Sequence, residues 1–130
     1  MRKIETNTLL SALWLFILLN VIFRDLHEIA KKSHLEMLLA SEVSDVLLFL
    51  VGFVIEIPIA MVLFSLLLSR RILRPLTIVA TLVITVGMVS VPPTDLDDVF
   101  FLTIQLLAMI AIVWTVWRWS QEDRLSNSRF

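Results

Sequence analysis

The chain has 130 residues, of which 58% are hydrophobic and 18% charged, with a net charge of −1 and no cysteine. A soluble domain of this size is excluded, because soluble domains are about 45–50% apolar and small domains bury only ~60–70% of their chain surface. The charge predicts no nucleic-acid partner, and the lack of cysteine excludes disulfides and thiolate chemistry. Long apolar blocks predict an all-α domain in a lipid bilayer, since a barrel would need short alternating segments.

Four apolar blocks are candidate membrane-spanning helices. A span needs roughly 17–25 residues, so Val46–Leu68 and Val99–Trp119 are long enough alone. Leu9–Phe23 and Leu76–Val91 reach this length when flanking residues join them. The sequence predicts a four-helix transmembrane bundle with up-down-up-down topology and a single domain over residues 1–130. The predicted helices cover about 8–26, 46–68, 72–91 and 96–119, with an outer surface loop over 26–45.

The basic residues predict the orientation of the bundle. Cytoplasmic connections carry the excess of Lys and Arg, and eight of the eleven basic residues fall on one side of the predicted helices. We therefore expect a multi-pass protein of the cell (inner) membrane with both termini cytoplasmic. The cytoplasmic group is Arg2, Lys3, Arg70, Arg71, Arg74, Arg118, Arg124 and Arg129, and the outer group is Arg24, Lys31 and Lys32.

The two outer connections differ in character. The longer one, 24–45, carries apolar residues at helical spacing and predicts one or two short amphipathic helices on the outer surface. The shorter one begins with Pro92 and Pro93, which end the third helix. Thr94 or Asp95 is then expected to cap the fourth helix, with the acids that follow complementing its positive dipole end.

Glu56 lies in the middle of the second block, ten residues from the start of that block. At ~1.5 Å per residue this depth is ~15 Å, where a charge costs about 2.5–3.5 kcal/mol. We expect a neutral carboxyl shielded by the neighbouring helices. Pro58 lacks a backbone N–H and crowds the carbonyl of Val54, which predicts a kink beside Glu56. Gly52 and Ala60, one turn away on either side, let a neighbouring helix approach closely.

Polar residues on the other helices are predicted at matching depth. Thr81 lies level with Glu56, and Gln105 is six residues into the fourth block. We expect an outward-facing ligand-binding pocket formed by Glu56, Asn20, Gln105, Thr81 and Thr85, with Pro58 as the kink. The alternative for the uncharged members is structural hydrogen bonding between helices, worth ~0.6 kcal/mol each.

No catalytic machinery, metal or cofactor is predicted. The chain has no glycine-rich phosphate loop and no metalloprotease signature. An enzyme acting on lipid by proton transfer would need a second acid–base group near Glu56. His27 and His34, with the acids around them, match no established zinc spacing.

Three segments carry a family resemblance. They are Leu10–Asn20 with Phe23 and Asp25, Glu56–Met61 with Ser65, and the tryptophan-rich end Trp114–Trp119. Together they resemble an uncharacterised family of small four-helix prokaryotic membrane proteins, the domain of unknown function 6326. That family often carries an acid where this chain has Gln105, so the resemblance implies no carboxylate pair. It implies four helices in a prokaryotic cell membrane and no activity; a likeness to DoxX-type membrane proteins is a fold-level analogy.

Two functions follow from these features. In the first, the protein binds or moves a small hydrophobic ligand or a proton at a pocket centred on Glu56. In the second, it is an accessory or assembly protein with a structural polar core, and its small-residue face packs against a partner or a second copy as a homo-oligomer.

Overall fold

The computed structural model describes residues 4–128, apart from the side chains of residues 32–34, 123 and 126. Arg2, Lys3 and Arg129, which contribute to the predicted charge bias, lie outside the described residues, as do the side chains of Lys32 and His34. Five helices form over the described range: α1 (Thr6–Ala30), α2 (Lys32–Ala40), α3 (Asp45–Leu67), α4 (Arg70–Ser90) and α5 (Leu96–Asn127).

Four of these helices, α1, α3, α4 and α5, are long and apolar enough to cross a bilayer. This confirms the predicted all-α class with four candidate spans. α1 continues to Ala30 rather than to 26, and α5 continues to Asn127 rather than to 119. The connection between α1 and α3, predicted to hold one or two short helices, holds α2, whose described side chains are exposed.

Local sequence signals set several helix ends. The Ser44 hydroxyl accepts a hydrogen bond from the Leu47 N–H at 3.2 Å and caps α3, and Asp45 in the first turn complements the helix dipole. α4 ends at Ser90 because Val91, extended at φ −100° and ψ 107°, precedes the proline pair.

The four long helices form a ring in which α1 packs on α3, α3 on α4, α4 on α5, and α5 on α1. Asn7, near the start of α1, donates to the carbonyl of Ser65 near the end of α3 at 2.9 Å. Arg74, near the start of α4, donates to the carbonyl of Trp119 at 2.7 Å. Neighbouring helices are therefore antiparallel, and both ends of the described chain lie together. We call this the terminal end, and the opposite end, which holds α2 and the α4–α5 connection, the loop end.

The core uses one face of each long helix, and α3 contributes least to it. In the most apolar stretch of α3, 11% of the residues are buried inside the bundle. Water is a poor solvent for so much exposed apolar surface. The buried apolar residues are Leu10, Trp14, Ile17, Met61, Leu73, Ala80, Ile84, Ala108, Met109, Ile112, Val116 and Trp119.

At the loop end, an ion pair joins α1 to the start of α5. Arg24 Nε lies 3.2 Å from Asp98 Oδ1, with side chains 18% and 5% exposed. The Asp98 carboxylate also accepts from the Thr94 N–H at 3.1 Å and the Thr94 hydroxyl at 3.0 Å. Asp98, rather than Thr94 or Asp95, is thus the side chain that holds the turn before α5, because its carboxylate can accept from three donors.

Lys31 and His27, near the end of α1, make further contacts with acidic residues at this junction. Lys31 Nζ donates to Asp95 at 2.7 Å and to Glu28 at 2.9 Å, and these hydrogen bonds raise the pKa of Lys31. His27 Nε2 lies 2.9 Å from Asp97 Oδ2. The acidic residues at the start of α5, which were predicted to complement the dipole of that helix, therefore also connect it to the end of α1.

The buried member of this junction is expected to dominate its stability. Asp98→Asn removes the buried carboxylate that pairs with Arg24 and accepts from Thr94, so we expect a loss of about 1–3 kcal/mol, measured as a lower Tm in mild detergent. Asp97→Asn is the matched control, because its contact with His27 is about half exposed and is worth less than ~1 kcal/mol. Equal Tm losses in the two variants would contradict this ranking.

Candidate binding site

A cavity of about 380 Å³ lies among α1, α3, α4 and α5 in the loop-end half of the bundle. Along α3 its lining runs from Leu50 to Pro58, a distance of ~12 Å at the helical rise. Its volume lies within the ~300–1,000 Å³ of small-molecule pockets. The lining residues are Val21, Arg24, Asp25, Leu50, Val51, Val54, Ile55, Pro58, Ile84, Gly87, Met88, Val91 and Gln105.

The lining is apolar except at Arg24, Asp25 and Gln105. Arg24 already pairs with Asp98, and the exposed Asp25 lies beside it at the rim near the loop end. Gln105 lies nine residues into α5, or ~13 Å along that helix. The cavity therefore has a charged rim, apolar walls and one neutral amide at depth.

Gln105 is the buried polar residue among those that line this cavity. Its side chain is 1% exposed, and neither Oε1 nor Nε2 has a hydrogen-bond partner among the described residues. A buried polar group without a partner costs about 1–3 kcal/mol. An amide acting as structural glue would bond a neighbouring helix, and this one does not. Gln105 is one of the residues that line the cavity, and its amide offers one acceptor and one two-proton donor.

The helical period places Gln105 on the core face of α5. The buried residues Ala108, Met109 and Ile112 follow it at i+3, i+4 and i+7, and the buried Asp98 precedes it at i−7. These intervals mark one stripe of a helix. This stripe is visible from the burial of these residues, whereas in the sequence apolar residues surround Gln105 on every side of the helix.

Glu56 lies outside the cavity, on the opposite face of α3. Its side chain is exposed, whereas Pro58, Met61 and Ser65 form the buried face of that helix. At ~100° per residue, Glu56 is ~140–180° around the axis from these three residues. The expectation that neighbouring helices shield Glu56 is therefore wrong for this bundle. Depth along a helix was readable from the sequence, but the rotation of the helix about its axis was not.

Asn20, Thr81 and Thr85 are not among the residues that line the cavity. Asn20 Nδ2 donates to the Phe16 carbonyl at 2.9 Å, and Thr81 Oγ1 donates to the Thr77 carbonyl at 2.7 Å, both within their own helices. Short polar side chains in helices often bond the carbonyl four residues back, so their depth does not identify a ligand contact. Thr85 is half-buried and lines a separate surface cleft. Their ligand-binding role stays a prediction.

Of the predicted site residues, the structure brings together Gln105 and Pro58. α3 continues as a helix through Pro58, which is buried and lines the cavity. The predicted kink at Pro58 stays a prediction.

Sequence reasoning missed two polar features that the structure shows. Ser11 Oγ donates to the Val62 carbonyl at 2.9 Å, beside the bond from Asn7 to α3. The i, i+4 spacing of Asn7 and Ser11 at the start of α1 was the available signal. The rim residues Arg24 and Asp25 were also missed, since charged residues at a helix end are typical of simple anchors. Within the described part of the chain, no three metal-binding side chains cluster.

Comparison with known proteins agrees with the resemblance seen in the sequence. A model described as a family of unknown function, DUF6326, matches residues 2–126. No curated protein matches the chain, and no solved structure does, so the likeness to DoxX-type proteins stays an analogy. Since the match covers nearly all of its residues, the chain belongs to the DUF6326 family.

Proposed function

We propose that this chain is a multi-pass protein of the cell (inner) membrane that binds a small uncharged hydrophobic molecule carrying one hydrogen-bonding group. The binding site is the cavity beside Gln105. The observation that carries the proposal is that Gln105 lines a cavity with apolar walls, while its buried amide has no hydrogen-bond partner among the described residues. The sequence predicted a pocket around Glu56, whereas the proposed binding site is on the opposite side of α3.

The membrane placement is supported by the four apolar helices and by charge. Basic residues concentrate at the terminal end, and cytoplasmic segments carry the excess of Lys and Arg. We therefore place both termini in the cytoplasm and the mouth of the cavity in the outer leaflet. Among described side chains, the terminal end holds Arg70, Arg71, Arg74, Arg118 and Arg124, and the loop end holds Arg24 and Lys31.

The chemistry of the lining selects the ligand class. The apolar walls favour an aliphatic or ring-shaped body, since each buried CH₂ contributes ~0.8 kcal/mol. Gln105 both donates and accepts, so it complements a hydroxyl or a neutral carboxyl group. A charged group at this depth costs more than a neutral one, which favours an uncharged ligand.

Binding is favoured over proton movement and over catalysis. A proton alone would leave the apolar walls of the cavity without a role. The amide of Gln105 is neither a usable acid nor a usable base at neutral pH, so it cannot perform general acid–base catalysis. It can orient a bound molecule.

The variant Gln105→Leu is expected to be more stable than the natural chain and to lose ligand selectivity. Leucine removes two unpartnered polar groups, a gain of about 1–3 kcal/mol. Tm is measured in mild detergent with 1-decanol or with n-decane, two probes that differ by a hydroxyl. We expect 1-decanol to raise the Tm of the natural chain more than n-decane does, and both to act equally on Gln105→Leu.

Thr103→Val is the control, because Thr103 is exposed on the same helix and bonds the Val99 carbonyl at 2.7 Å. It should keep the preference for 1-decanol. A lower Tm for Gln105→Leu than for the natural chain, or equal effects of both probes on the natural chain, would show that Gln105 has a structural role instead.

The orientation is tested by single cysteines in this cysteine-free chain. Asp97→Cys and Arg71→Cys replace exposed residues at the loop end and the terminal end. An impermeant maleimide should label Asp97→Cys in intact cells that express the protein. It should label Arg71→Cys only when the cells have been permeabilised. The reverse pattern would show that the termini face outward.

A further inference from the structure

The exposed carboxyl of Glu56 lies at the centre of α3, eleven residues from each end of the helix. This places it ~16 Å from either end at the helical rise. If α3 spans the membrane as proposed above, Glu56 lies at the bilayer midplane and faces away from its own bundle. The inference that follows depends on that membrane placement and not on the ligand of the cavity.

A lone carboxyl in this position is unfavourable in either protonation state. As a carboxylate it costs about 2.5–3.5 kcal/mol at the bilayer centre, and as a neutral acid it still has a donor and acceptors that hydrocarbon cannot satisfy. Neither a hydrogen bond nor an ion pair joins Glu56 to any described residue. The glutamate side chain is also too short to reach the headgroups from this depth. A group outside the bundle must therefore supply the partner.

The surface around Glu56 allows close approach of another helix. A Cβ added at Gly52 would meet nothing within 4 Å, and Ala60 is the next small residue on the other side. Both lie one turn from Glu56, on the same face of α3. The exposed side chains of Phe49, Phe53 and Leu63 flank this face. We call Gly52, Glu56 and Ala60 the Glu56 face.

We propose that the Glu56 face binds a second copy of this chain, with the two Glu56 carboxyls hydrogen-bonded to each other as neutral acids. Two copies with the same orientation in a bilayer are related by a twofold axis along the membrane normal. This axis brings residue 56 of both copies to the same depth. A neutral carboxyl is at once a donor and an acceptor, so it is complementary to its own symmetry mate. A different protein would need a matching polar group at that depth by coincidence.

The dimer and the cavity are on opposite sides of α3. Pro58 and Val51 line the cavity, whereas the Glu56 face points away from it. Dimerisation therefore leaves the cavity accessible, and the probe measurement on Gln105 does not depend on it. Failure of one proposal is distinguishable from failure of the other.

The test is the mass of the protein by native mass spectrometry in mild detergent, with four variants. We expect a dimer for the natural chain and for Glu56→Gln, since an amide also donates and accepts. Glu56→Leu should dimerise about tenfold more weakly, equivalent to about 1.4 kcal/mol. Gly52→Leu should be monomeric and folded, because the single bundle has free space there. Ala12→Leu, a matched change on the exposed face of α1, should remain dimeric.

Crosslinking in the native membrane provides the second readout and avoids detergent. Gly52→Cys should form a disulfide-linked dimer on oxidation, and Ala12→Cys should not. The proposal is overturned by a natural chain that is monomeric and does not crosslink, or by dimers that Glu56→Leu and Gly52→Leu leave unchanged. Selective crosslinking of Gly52→Cys to a different membrane protein would also overturn it.

Discussion

The rotation of α3 about its own axis is the constraint on which the rest of the structure depends. Asn7 and Ser11 of α1 donate to carbonyls on one edge of α3, and these bonds turn that edge towards the bundle. Pro58 then becomes buried and lines the cavity. Because Glu56 lies ~160° around the helix from Pro58, burying one residue exposes the other.

Gln105 of α5 and Glu56 of α3 share one physical feature, although they lie on opposite sides of α3. Each is a polar group far from the helix ends, and neither has a hydrogen-bond partner among the described residues. In the proposed bilayer, the hydrocarbon cannot supply the missing bonds. Gln105 lines a partly open cavity between helices, which favours a small molecule, whereas Glu56 faces outward from a helix face with small residues, which favours another helix.

The loop end connects the stability of the bundle to the mouth of the cavity. Arg24 belongs to both, since it pairs with the buried Asp98 and also borders the cavity. The cavity lies beside the α3–α4 contact, which is the least extensive of the four contacts around the ring. The α1–α5 side is held by ion pairs, so any adjustment of the cavity to a ligand is expected on the α3–α4 side.

The sequence by itself determined the all-α class of the protein, its four long apolar helices and the position of each polar residue along its helix. Block length and composition are local properties, and they are set by the apolar solvent that such a chain requires. The inward direction of Gln105 was not readable, because apolar residues surround it on every side of α5.

Only the tertiary structure decided which polar residues meet. α3 is apolar on all sides, so no hydrophobic stripe in its sequence shows which face packs inward. In the structure, hydrogen bonds from Asn7 and Ser11 join α1 to the side of α3 that is buried, and Glu56 lies on the opposite side. Glu56 therefore lies outside the cavity that Pro58 and Gln105 line, because contacts between helices depend on rotations that spacing along the chain does not specify.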